Sequence, residues 1–287
     1  MNGAMRRVHV FAAILLAPAA ALAGPKAGAP VGPPTSKTPS PCGVKILPLA
    51  VGNSWTYSMV PAPTAPEDQI KRISPQEPDT ITVTVKSIAP AKNGDTTITL
   101  EEHTSLDLTR GEKDEKKRKV DEHTYESTIT CSAKKFEISP ESFFFSGEPG
   151  GYIGIQIDSL DISKGTSWQL TNGGIGDQQW GEDLKMTWTR VPTPGSDAKL
   201  GSGKLELERR FTPEPPESVD TKLGAYHAEK LGLITTGRVT TADAKDGKPF
   251  EMPAGWVSTI WVAPGAGVVQ TLNPYQHMYQ LSAATLK

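Results

Sequence analysis

Beyond its N-terminus this chain has no uninterrupted apolar run of about 18 residues, the length needed to cross a bilayer as a helix. Cysteine is scarce, with only Cys42 and Cys131 in 287 residues. No C-x-x-C pair and no H-E-x-x-H motif supply the ligand spacing of a zinc site. Past the N-terminal segment the histidines are His103, His123, His227 and His277, far apart and in unrelated contexts. No G-x-S-x-G elbow presents a serine nucleophile. No GxGxxG pattern or helix start accompanies Gly265 and Gly267, so nothing there is built to cradle a phosphate. Charge of one sign is also lacking. The formal net charge is −2, which gives no electrostatic reason to expect nucleic acid as a partner. These shortages argue for a non-enzymatic protein without a metal, a cofactor or a transmembrane segment.

What is present begins with an export signal. Arg6 and Arg7 precede the apolar run from Val8 to Leu22, and Ala21-Leu22-Ala23 offers an A-x-A cleavage site. Residues 1–23 are expected to be removed, leaving a soluble periplasmic or extracellular chain that starts at Gly24. Cleavage removes Arg6 and Arg7 and takes the formal charge from −2 to −4. Gly24 stands where a bacterial lipoprotein would carry a cysteine, which disfavours a lipid anchor. In an exported chain an even cysteine count favours a disulfide between Cys42 and Cys131, and the alternative is a free buried thiol at Cys131.

Residues 24–43 hold prolines at 25, 30, 33, 34, 39 and 41 among small and polar residues. Such a segment buries little apolar surface and reads as an extended, disordered tether. The folded body is expected over 44–287, either as one β domain or as two related lobes divided near residue 160. The lobe reading rests on the echo of Gly52-Asn53-Ser54-Trp55 in Gly165-Thr166-Ser167-Trp168.

Strict alternation in Thr80-Ile81-Thr82-Val83-Thr84-Val85 puts the apolar side chains on one face and threonines on the other, the mark of a half-buried strand. The pattern returns over Thr96 to Leu100, with Asn93-Gly94-Asp95 as the hairpin turn between the two runs. Further strands are expected at Tyr125–Cys131, Lys185–Val191, Lys204–Phe211, Leu231–Val239, Val257–Val262, Val268–Leu272 and Met278–Ala283. The mixed-sign run from Glu112 to Lys119 reads as a solvated hairpin tip. Thr212 to Val219, with three prolines, reads as a stiff exposed connection. Ser218 to Leu231 is the one place where a short helix is expected.

Two brackets frame the body. Leu49-Ala50-Val51-Gly52-Asn53-Ser54-Trp55-Thr56-Tyr57 opens it, and Trp261-Val262-Ala263-Pro264-Gly265-Ala266-Gly267-Val268-Val269 closes it. Each joins a glycine turn to an aromatic and β-branched run. Together they resemble the ends of secreted bacterial proteins with an L-x-V-G-x-x-W-x-Y start and a W-x-A-P-G-x-G-x-V finish. That group in turn resembles the open, curved antiparallel sheets of periplasmic lipoprotein carriers. The resemblance implies a mainly β fold, a strongly curved antiparallel sheet forming a half-barrel or open barrel with few or no helices, wrapped around a hydrophobic concavity.

Three functional readings follow. The first is a carrier or binding module for a hydrophobic small molecule, a lipid or an envelope component, with Trp55, Tyr57, Trp168, Trp188 and Trp261 as candidate lining residues. Aromatics make up only 7% of the chain, so these large rings equally serve to pack a closed core. The second is a structural or interaction domain docking an envelope protein. The third is a carbohydrate-binding or carbohydrate-active site around Trp180-Gly181-Glu182-Asp183 with Trp168 and Trp188, in which tryptophans stack on sugar rings and the acids do proton transfer. Adjacent strand residues point to opposite faces, which counts against Glu182 and Asp183 acting as a pair.

Overall fold

The computed structural model describes residues 33–61, 77–91, 94–109, 112–147, 155–171, 174–190, 201–241 and 249–287. The export signal, residues 24–32 of the proline-rich segment, Asn93 and Gly173 lie outside the described residues.

Among the described residues the chain runs through fourteen strands. These are β1 (Ser54–Val60), β2 (Thr80–Pro90), β3 (Thr96–Asp107), β4 (Val120–Cys131), β5 (Phe136–Ile138), β6 (Ile155–Gly165), β7 (Leu170–Thr171), β8 (Gly174–Ile175), β9 (Trp180–Arg190), β10 (Ser202–Thr221), β11 (Gly224–Thr241), β12 (Phe250–Ala263), β13 (Gly267–Leu272) and β14 (Met278–Thr285). Twelve of them form one antiparallel sheet in the order β5-β4-β3-β2-β1-β14-β13-β12-β11-β10-β9-β6, and β7 pairs with β8 separately. The expected mainly β class and antiparallel sheet are what the chain adopts.

The opening and closing brackets meet at the middle of this sheet. β1 pairs with β14 on one side and β2 on the other. Pro264–Gly267 is the turn that folds β12 onto β13, with Gly265 at φ 73° and Gly267 at φ 87°, a region that favours glycine. Trp55 Nε1–H donates to Ala266 O at 2.6 Å and the Tyr57 hydroxyl donates to Val268 O at 2.8 Å, so the first bracket hydrogen-bonds the second.

The sheet is unclosed, yet its two edge strands are tied together. The Phe136 N–H donates to Thr166 Oγ1 at 2.9 Å and the Ile138 N–H to Ser167 Oγ at 3.0 Å. The Trp168 N–H donates to Phe136 O at 3.2 Å. Hydroxyls of the residues after β6 thus serve the exposed edge of β5 in place of a neighbouring strand, which blunts that edge and requires a strongly curved sheet.

The described part of the proline-rich segment lies against the body. The Ser36 N–H donates to Gly265 O at 2.7 Å, the Thr38 N–H to Lys287 O at 3.3 Å, and the Tyr226 hydroxyl to Pro34 O at 3.3 Å. A disulfide joins Cys42 to Cys131 at the end of β4, with the Cα atoms 6.0 Å apart.

Two local expectations are corrected. Ser218 to Leu231 is a hairpin rather than a helix: β10 runs to Thr221, Gly224 at φ 124° makes the turn, and β11 pairs back along β10. Thr212 to Val219 is likewise part of β10. Its prolines are tolerated because the ladder with β9 ends at Phe211, leaving this half of the strand with one neighbour, and a bulge between Glu214 and Glu217 leaves Pro215 and Pro216 unpaired. Glu112 to Lys119 is the tip of the β3–β4 hairpin, as its charge pattern implies, with Arg118 paired to Asp107 at 2.7 Å.

Candidate functional site

Four long strands, β9 to β12, carry the side chains of one sheet face in rows. Trp188, Gly203, Thr241 and Phe250 form one row, and Met186, Leu205, Val239 and Met252 the next. Leu184, Leu207, Gly237 and Ala254 follow, then Glu182, Arg209, Thr235 and Trp256. Gly203 opens the first row, since a Cβ there would come within 2.6 Å of the Trp188 ring.

Above these rows lies a single helical turn, Phe143–Ser146, with Phe143, Phe144 and Phe145 all buried. It plugs the interior of the sheet. Phe144 meets Trp55 edge to face with ring centroids 5.6 Å apart, and Phe143 packs on Tyr57 at 4.5 Å. Such contacts add to the burial energy of the rings themselves.

Two buried ionisable side chains hold the plug at its two ends. Glu102, on β3 and fully buried, accepts the Phe143 N–H at 2.9 Å, the Ser142 hydroxyl at 2.9 Å and the Ser127 hydroxyl at 2.6 Å. Desolvation raises its pKa to about 7, outweighing the hydrogen bonds that favour the carboxylate. At the other end Arg209 Nη2 donates to Phe145 O at 2.7 Å and Nη1 donates to Glu182 Oε1 at 2.7 Å. Burial lowers the Arg209 pKa to about 10, which leaves it charged at neutral pH. Burial also pushes Glu182 up, opposed by Arg209 and the Ser167 hydroxyl.

Beside the plug a cavity of about 410 Å³ remains. Its walls include Phe145, Met186, Trp188, Leu205, Val239 and Trp256, and the β13–β14 loop contributes Pro274 and Tyr275. None of its lining residues is Asp, Glu, Lys, Arg or His among the described residues. Among the described residues no group of three or more His, Cys, Asp or Glu side chains is placed to hold a metal ion.

The five residues expected to line a hydrophobic concavity are therefore divided. Trp188 lines the cavity. Trp55 and Tyr57 lie in the core against the plug, and Trp168 lies in the core stacked on Phe136 with centroids 5.4 Å apart. Trp261 is also buried in the core, its indole N–H donating to Glu217 and its ring 5.5 Å from Lys230 Nζ. In the Trp180 to Asp183 run, Trp180 stacks on Phe211 at 5.0 Å, and Glu182 is committed to Arg209. Asp183 instead pairs with Lys164 at 3.3 Å, on a side chain far more exposed than that of Glu182.

Sequence reasoning missed Trp256, Tyr275 and Phe145. Trp256 stands one residue before the strand expected at Val257, and alternation with Ser258 and Ile260 was the available signal. Tyr275 lies in a turn, where no periodicity operates.

No protein-family model matches the chain, and no curated protein matches it. Two solved structures are similar in fold. One is a candidate lipoprotein from Parabacteroides distasonis, at 10% identity and TM-score 0.42, covering 84% of this chain and 99% of the other. The second is a candidate exported protein with a YmcC-like fold from Bacteroides fragilis, at 13% identity and TM-score 0.45, with the same coverage. Among the described residues no helix is long and apolar enough to cross a membrane.

Proposed function

We propose that this protein is an exported, non-enzymatic binding module that takes a hydrophobic small molecule, or the apolar part of an envelope component, into the cavity beside Trp188. Export is supported by Arg6 and Arg7, the apolar run to Leu22 and the A-x-A site before Gly24. The observation that carries the binding reading is the cavity itself. At about 410 Å³ with an apolar lining, it falls within the ~300–1,000 Å³ of ordinary ligand sites. Its walls come from five neighbouring strands, β6 and β9 to β12, together with the plug and the β13–β14 loop.

The test is native mass spectrometry of the protein purified from the periplasm, paired with Leu205→Trp, which fills the cavity from its floor. Apolar material bound to the wild type and absent from Leu205→Trp is the expected result. Material that stays bound when the cavity is filled overturns the assignment of the site, and an empty wild type overturns the binding reading.

A further inference from the structure

β12 has different neighbours along its length. Its ladder with β11 runs without a shift from Phe250 to Val262, whereas β13 pairs with it only from Thr259 to Ala263. Residues 250–258 therefore have a strand on one side and an open edge on the other. Pro253 marks which backbone groups face outward, because a proline in a ladder turns its nitrogen to the open side. Glu251, Gly255 and Val257 stand at alternate positions and turn their N–H and C=O groups the same way. No backbone group among the described residues meets them.

Other open edges of the sheet are protected. Residues 120–128 of β4 carry Asp121, Glu122 and Glu126. β6 carries Asp158, Asp161 and Lys164 and has two bulges, and β10 beyond Phe211 carries Pro213, Pro215 and Pro216. Such devices keep further strands from pairing. Residues 250–258 have less protection: Pro253 removes one donor, and the charge of Glu251 is met by Arg238 at 3.3 Å. Large apolar side chains stand on this edge instead, with Phe250 56%, Met252 43% and Val257 53% exposed.

The same edge borders the cavity. Gly255 and Trp256 line it, together with Pro274 and Tyr275 of the β13–β14 loop. Phe250, Met252 and Trp256 share a sheet face with Trp188 and Met186, so a strand laid along this edge puts alternate side chains on the cavity side. A lipid chain leaves the outward N–H and C=O groups unused. An extended polypeptide pairs with both, at the matching two-residue period. No charged side chain among the described residues lines the cavity, so the side chains it accepts are apolar.

Building on the proposed binding role of this cavity, we infer that its occupant is an extended polypeptide segment with alternating apolar side chains, which adds to the open edge of β12 at Gly255 and Val257 and lays an apolar side chain in the cavity beside Trp256. Main-chain pairing supplies affinity, and the cavity selects the side chain.

The test uses the protein purified from the periplasm and two probes. One is a peptide of alternating threonine and leucine with a lysine at each end. The other is its fully N-methylated analogue, which keeps every side chain and loses every backbone donor. Calorimetry measures affinity, and amide hydrogen exchange locates the contact. The plain peptide is expected to bind wild type roughly tenfold or more tightly than the methylated one, and to slow exchange at Gly255 and Val257 by a similar factor. Leu205→Trp, which fills the cavity, is expected to weaken the plain peptide by roughly the same factor. Equal binding of the two peptides, no binding of either, protection that falls on β6 instead of β12, or plain-peptide binding unchanged in Leu205→Trp overturns the inference. Protection of Gly255 and Val257 in a concentration-dependent dimer without peptide overturns it too, and assigns the edge to a second copy of the chain. The search for co-purified apolar material judges the wider binding reading separately, so a small molecule lost in Leu205→Trp leaves that reading standing when the peptide fails. Thermal unfolding confirms that the variant is folded.

Discussion

The guanidinium of Arg209 lies over the ring of Phe145, 3.5 Å from its centroid, while Nη2 of the same side chain donates to the carbonyl of Phe145 at 2.7 Å. One arginine from β10 thus grips both the side chain and the backbone of the residue that forms the cavity wall. Its charge is balanced by Glu182 on β9, its cross-strand partner. The plug is therefore held by a buried ion pair rather than by apolar contact alone.

This arrangement predicts strong coupling. Arg209→Met leaves Glu182 buried without its partner and is expected to cost roughly 3–5 kcal/mol. Adding Glu182→Gln to Arg209→Met removes the stranded charge and is expected to recover a large part of that loss. Urea unfolding of the two single variants and the double variant measures this, and strictly additive effects count against the coupling.

A pH dependence follows from Glu102. Its pKa is raised by burial from 4.5 in the unfolded chain to about 7, so the native state holds the proton more tightly than the unfolded state. The contribution to stability is fully present below about pH 4.5 and is lost as pH rises through 7, a change of roughly 3 kcal/mol. Glu102→Gln, which cannot ionise, is expected to flatten the stability profile across this interval. Denaturant midpoints at pH 5 and pH 8 for wild type and variant provide the comparison, and identical slopes refute the assignment.

The contact between the brackets predicts unequal costs for two glycines. Gly52 and Gly267 both have positive φ, 84° and 87°, so alanine at either strains the backbone by roughly 1–2 kcal/mol. A Cβ at Gly52 meets the flexible end of Lys287, whereas one at Gly267 comes within 2.8 Å of Leu47 Cδ1 and 3.1 Å of Trp55 Nε1. Gly267→Ala is expected to lower the melting temperature more than Gly52→Ala, because it also disturbs the Trp55 to Ala266 hydrogen bond. Equal losses argue that the two brackets do not support one another.

Several parts of this architecture are decided by local chemistry and are legible residue by residue. Alternation over Thr80 to Val85 sets which face of β2 is buried, because successive strand side chains point to opposite sides whatever the rest of the chain does. The glycines at 265 and 267 mark a turn because the backbone there needs positive φ. With two cysteines in the body, the Cys42–Cys131 pairing has no competitor. Local signals fail where a strand's tolerance depends on its neighbours. The prolines of β10 look like a loop until its ladder with β9 is seen to end at Phe211.

The cavity belongs to the second kind of information. Sequence by itself determined that Trp55, Tyr57, Trp168 and Trp188 are large rings suited to the inner face of a sheet. Only the tertiary structure decided which of them line a cavity, because that depends on what covers the face. The cover is the Phe143–Ser146 turn, anchored by Glu102, which is 41 residues from Phe143, and by Arg209, which is 64 residues from Phe145. Parity is a property of adjacent residues, whereas occupancy of a concave face is set by contacts between segments far apart in the chain.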